Sequence, residues 1–168
     1  MAKHGEGKRR IADQIATVID KTNYLELLIT AIFEKCLLPA NERYTFLLTR
    51  ILHNSVTSFG AKVAVLMVML EFEKWKDLQK RAAVLHEVLR FRNAFAHTPT
   101  NLRRVVTATW ADNPPEIISS QMIIESKVGN TLKSITRAEG FSQFSAAYEK
   151  ALKVLDDITN KVNATYFS

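Results

Sequence analysis

The chain has one cysteine, Cys36, in 168 residues. An intrachain disulfide is therefore excluded, and any zinc site would have to rest on histidine and carboxylates. The five glycines, at positions 5, 7, 60, 129 and 140, fall in no phosphate-loop spacing, which removes the nucleotide-binding classes built on Gly-rich turns. Long apolar runs are missing as well. The longest, Val63 to Leu70, is far short of the roughly 20 residues needed to cross a bilayer. Basic residues near the start have no apolar segment behind them, so neither a secretory leader nor a membrane span is expected and the protein reads as soluble and cytoplasmic. Of the four histidines, His4 and His53 read as ordinary surface residues. His86 and His97 are eleven residues apart, about 16 Å along a helix, too far for one metal ion. No metal and no cofactor is expected.

What is present suffices for one domain with a full core: 47% of the residues are hydrophobic. The expected organisation is a basic, disordered arm over residues 1–9, carrying Lys3, Lys8 and Arg9, and a single helical domain over 10–168. The net charge of +6 is compatible with a nucleic-acid partner.

Periodicity predicts an all-α, up-and-down bundle of about five helices with a small β-hairpin before the last one. A first helix over 10–38 carries Ile11, Ile15, Val18, Thr22, Leu25, Ile29, Ile32 and Cys36 at alternating steps of four and three, a seam suited to a neighbouring helix. Pro39 stops it, and Asn41 can cap a second helix over 41–53. Ser58 reads as the cap of a third over 59–74 that is apolar nearly all round, so it should be central or shared with a second subunit. Trp75 and Lys76 mark either a break or a kink before a fourth helix that Pro99 ends. Segments 102–110 and 117–125, rich in Val, Ile and Thr, flank Asp112-Asn113-Pro114-Pro115 and read as a hairpin. Thr136-Arg137-Ala138-Glu139 has the form of a capping box before a last helix. Its seam is Phe144, Tyr148, Ala151, Leu155, Ile158 and Val162.

The fourth helix carries the chemistry. On a helical wheel Leu78, Ala82, Leu85, Leu89, Arg92 and Ala96 form one stripe, widened by Val84, Val88, Phe91 and Phe95. Arg92 therefore falls inside the apolar arc. Asn93 sits at its border, and His97 shares a side with His86 and Arg90. Cations in a last turn favour the helix macrodipole, which accounts for Arg90 and His97 but not for Arg92, because a guanidinium is almost never buried without a partner. Either the arc opens onto a cleft at this end or a second surface brings something for Arg92 to bind.

Arg92-Asn93-Ala94-Phe95-Ala96-His97 resembles the Arg-x(4–6)-His signature of the HEPN superfamily, often seen as Arg-Asn-x-x-x-His at a helix end. The resemblance covers the helical stretch from Arg10 to Val162, and the hairpin departs from a minimal bundle of that kind. It implies a homodimer in which two motifs face each other and metal-independent endoribonuclease activity, in toxin or defence settings, with RNA as substrate and room for an inhibitory protein partner. His97 would then act as general base on a ribose 2′-hydroxyl or as general acid to the leaving oxygen. Arg92 would hold the scissile phosphate, and Asn93 would orient the phosphate or His97. Toxins of one branch carry a Tyr two residues after the His. Pro99 stands there, so regulation through that Tyr is not implied.

Geometry independently favours a dimer. Five residues separate Arg92 from His97, about 140° in direction and about 7.5 Å in height, so the two do not converge on one helix. Two motifs across a two-fold axis would surround one phosphate, and the arc around Phe91 and Phe95 is the expected contact surface. Arg90, Arg103, Arg104 and His86 are the further candidate substrate contacts. The alternative is a catalytically silent helical dimer serving as a protein-interaction or nucleic-acid-binding module.

Overall fold

The computed structural model describes residues 3–37, 57–97, 104–109, 116–128 and 131–166. Four helices carry the packing: α1 Lys3–Leu37, α2 Phe59–Phe72, α3 Leu78–His97 and α4 Arg137–Tyr166. Among the described side chains every buried apolar one lies on a helix. The expected helix over 41–53 lies outside the described residues.

Side-chain contacts set the helix directions. Lys21 lies over the Tyr148 ring and Lys35 donates to Asn163 Oδ1, so α1 and α4 run parallel. Lys62 pairs with Glu26, and Glu73 is close enough to act on Cys36, so α2 also runs with α1. Arg81 meets Asp157 while Phe95 meets Phe141, which makes α3 antiparallel to α4.

The two long helices form where their seams predict. Val18, Leu25, Ile29 and Ile32 of α1 are buried, as are Phe144, Tyr148, Ala151, Leu155, Ile158 and Val162 of α4. A fully buried side chain of this size contributes roughly 1.5–3 kcal/mol, so these two rows supply a large share of the stabilisation. One boundary differs from expectation. Helix α1 already starts at Lys3, so the stretch read as a disordered arm is its first two turns. The Lys and Arg residues there are good helix formers and no proline interrupts them, which outweighs Gly5 and Gly7.

Helix α2 starts at its Ser58 cap, whose Oγ accepts from the Ala61 N–H at 3.3 Å. The Trp75 region is a break and not a kink. Trp75 N–H donates to Leu70 O and Lys74 N–H to Glu71 O, both at 2.9 Å, the two reversed bonds of a Schellman ending. Lys74 takes the left-handed position with φ 57°, which glycine usually fills. Near the start of α2, Gly60 allows close approach to α3, since an added Cβ would come within 3.3 Å of Leu89 Cδ2.

Helix α2 is covered on one side only. Phe59, Val63, Leu66 and Leu70 are buried, while Val65, Val68 and Phe72 are 42%, 65% and 84% exposed. The chain between α3 and α4 forms strands β1 Arg104–Thr109, β2 Glu116–Val128 and β3 Thr131–Thr136, antiparallel in the order β1-β2-β3. A two-stranded hairpin was expected there. The third strand follows two residues after β2 and pairs with it from Val128↔Thr131 to Ile123↔Thr136. Middle strand β2 lies against both α3 and α4. Trp110 and Arg103 lie outside the described residues.

One charged pair crosses the core. Lys62, 1% exposed, reaches Glu26 Oε2 at 3.5 Å. Removing one partner of such a pair leaves a charge uncompensated, whereas replacing both by apolar groups is often neutral. Lys62→Met should therefore cost about 3–5 kcal/mol in urea denaturation, and Lys62→Met with Glu26→Met should recover most of that loss. A double variant as unstable as the single one would show that the pair contributes no more than its packing volume.

Candidate functional site

Helix α3 buries Leu85, Val88, Phe91, Ala94 and Phe95, while Ala96 is exposed and Leu89 half-buried. Its inner face is thus turned by roughly 60° from the middle of the widened apolar arc expected on the wheel. The reason is aromatic packing against α4: Phe95 meets Phe141 edge-on at 6.3 Å between ring centroids, and Phe141 continues to Phe144 at 6.5 Å. Arg92 moves from the middle of the apolar arc to its edge and is half-buried. This rotation also corrects the expected dimer surface. Phe91 and Phe95, 2% and 0% exposed, are spent on the chain's own core and offer no contact to a second copy.

At that edge Arg92 Nη1 donates to Asn93 Oδ1 at 3.2 Å. No carboxylate pairs with Arg92 among the described residues. Asn93 and His97 are exposed, one turn apart on the outer side of the helix end. An unpaired guanidinium, an amide and an imidazole are together able to hold an oxyanion and exchange a proton with it.

The other candidates divide. Arg90 is occupied: it pairs with Glu87 at 3.6 Å and lies 4.6 Å from the Phe91 ring centroid. His86 is exposed, three turns from His97. Arg104 opens β1 opposite Met122 of β2, and β2 is the strand that lies against α3. Among the described residues no three His, Cys, Asp or Glu side chains cluster as metal ligands.

A charged residue beneath the motif went unread in the sequence. Arg137, 6% exposed at the first position of α4, has its guanidinium carbon 5.2 Å from the Phe95 ring centroid. Its Nη1 finds no acceptor among the described residues, and burial weakens its hold on its proton. Half of the capping box around it is present: Thr136 Oγ1 accepts from Glu139 N–H at 3.2 Å, while Glu139 Oε1 accepts from Gln143 Nε2 at 3.0 Å. The available signal was electrostatic, since a cation in the first helical turn opposes the macrodipole.

Compared with known proteins, the chain matches no family model, no curated protein and no solved structure at a significant level. The functional reading therefore rests on the residues themselves.

Cys36 is half-buried, and burial, followed by the nearby charge of Glu73, raises its thiol pKa above the ordinary value. The thiolate is the reactive form, so this residue is unsuited to nucleophilic work. Labelling by a thiol reagent should be several-fold slower in the native protein than in denaturant, and its rise with pH should be displaced upward. Equal rates in the two states would contradict this placement.

Proposed function

We propose that the chain is a metal-independent endoribonuclease of the HEPN type, working as a homodimer with a composite site. The observation that carries this reading is Arg92: a half-buried guanidinium without a carboxylate partner among the described residues, bonded to Asn93, which lies one turn before an exposed His97. Such a cation is suited to a phosphate, and the Asn93 carbonyl holds its fork in place.

In the proposed reaction the ribose 2′-hydroxyl attacks the adjacent phosphorus and gives its proton to the His97 imidazole of one copy. Arg92 stabilises the added negative charge, and the bond to the 5′-oxygen breaks as that oxygen takes a proton from the second copy's His97, which enters as the imidazolium and leaves as the neutral imidazole. The products are a 2′,3′-cyclic phosphate and a 5′-hydroxyl, and the chemistry calls for no metal. Two copies are needed because Arg92 and His97 point about 140° apart on a straight helix. A toxin or defence role, with an inhibitory protein partner, accompanies this reading.

The exposed stripe on α2 favours the second reading, a catalytically silent module that binds a partner protein. Val65, Val68 and Phe72 lie towards the turn at 73–77, the end of α2 next to the start of α3. A dimer closed through that stripe would leave the two motifs apart.

Purified protein incubated with mixed RNA in chelator should yield fragments ending in 2′,3′-cyclic phosphate. Arg92→Ala and His97→Ala should each lower the rate by at least about 100-fold, the scale of a lost general base or oxyanion donor. Equal cleavage by both variants would sink the nuclease reading, and no cleavage by the native protein would favour the silent module.

A further inference from the structure

At the opposite end of α3 from the motif lies a second group of cations. Arg81 Nη2 meets Asp157 Oδ2 at 2.7 Å, and Lys161 Nζ meets the same oxygen at 3.5 Å. Both cations sit over Trp75, at 5.5 Å and 4.9 Å from its ring centroid. Sharing one carboxylate oxygen keeps them close together, and too close to flank the ring from opposite faces. One carboxylate thus serves two cations, and Asp157 is held below the usual carboxylate range chiefly by its bond to Arg81. Lys76, exposed and without a partner among the described residues, adds a third positive charge. Its neighbour Asp77 is taken by Lys80 at 3.3 Å.

Lys76, Asp77, Arg81, Lys161 and Trp75 line an open cavity of about 330 Å³. Arg81 Nε is buried there with no acceptor among the described residues. An excess of positive charge beside an open space calls for an anion with several acceptor oxygens. The turn that brings Trp75 and Lys76 here is held between two left-handed residues, Lys74 and Asp77, at φ 57° and 60°. That backbone strain is sustained at this cavity and nowhere else among the described non-glycine residues.

Position on the helix links this cavity to the motif. Arg81 and Arg92 are eleven residues apart, close to three full turns, so about 16 Å of helix separates them, with the buried Leu85 and Val88 between. We infer that the Trp75 cavity is a second backbone-phosphate site for single-stranded RNA, with Lys76, Arg81 and Lys161 as its cations, about three helical turns from Arg92. This rests on the RNA reading of the motif but needs no cleavage to be tested. The site carries no base preference, because the groups it presents read charge and not base edges.

The test is fluorescence anisotropy with a 2′-O-methyl RNA of about twelve nucleotides, which resists cleavage through the 2′-oxygen, titrated over a range of salt. Lys76→Gln and Lys161→Gln should each weaken binding about three- to ten-fold at low salt and reduce the slope of log K against log salt by about 0.7 for every phosphate no longer neutralised. Lys76→Gln keeps the test sound if Lys161→Gln loosens Asp157, because Lys76 supports no other side chain among the described residues. Unchanged affinity and slope in Lys76→Gln, or a native protein that does not bind the oligomer, would overturn the inference. Binding abolished in both variants while the native protein cuts no RNA would retire the nuclease reading and leave this phosphate site standing.

Discussion

The packing of Phe95 of α3 against Phe141 of α4, with Phe91 buried on the same face, is the constraint on which the candidate site depends. Once those two rings are buried, the 3.6-residue period leaves no choice about the rest of the helix end. Arg92 falls at the edge of the core, and Asn93 and His97 fall outside it. A substitution that removed the Phe95 ring would cost about 3–5 kcal/mol and also free the helix to turn, so stability and site geometry are coupled through one side chain.

Buried charge is the second theme, and its two instances differ in kind. Lys62 and Glu26 satisfy each other between α1 and α2 and fix which faces of those helices meet. Arg137 has a ring beneath it and an Nη1 with no acceptor among the described residues. An arrangement of the first kind belongs to the scaffold, because both charges are compensated within the chain. The second kind is costly by several kcal/mol when left alone, and it lies directly under the helix that presents the motif.

Much of the scaffold was legible because periodicity and capping are local signals. The seams of α1 and α4, the Ser58 cap and the capping box at Thr136 could all be read from spacing. The rotation of α3 could not, since Leu89 and Ala96 are as apolar as Phe91 and Ala94 in sequence, and only the aromatic partners on α4 decide between them. The break after α2 was ambiguous because Lys74 takes a position that glycine normally announces. Strand β3 was missed although Gly129-Asn130 stood between two strand-like runs, and Arg137 was read only as a member of its cap. The three motif residues were visible as types at a spacing. Their relation was not, because a bond between neighbours such as Arg92 and Asn93 depends on which side of the helix the core takes.

The proposed function requires Arg92 to be held ready for a phosphate and not to serve as a structural contact. Thermal melting of Arg92→Ala, with and without single-stranded RNA, tests it most directly. A guanidinium kept unpaired for a ligand should leave the melting temperature of the free protein unchanged or slightly raised when removed, and the stabilisation by RNA should vanish. A structural arginine would instead cost about 3–5 kcal/mol, a fall of roughly 6–20 °C for a chain of this size. A fall of that size with RNA stabilisation intact would contradict the account.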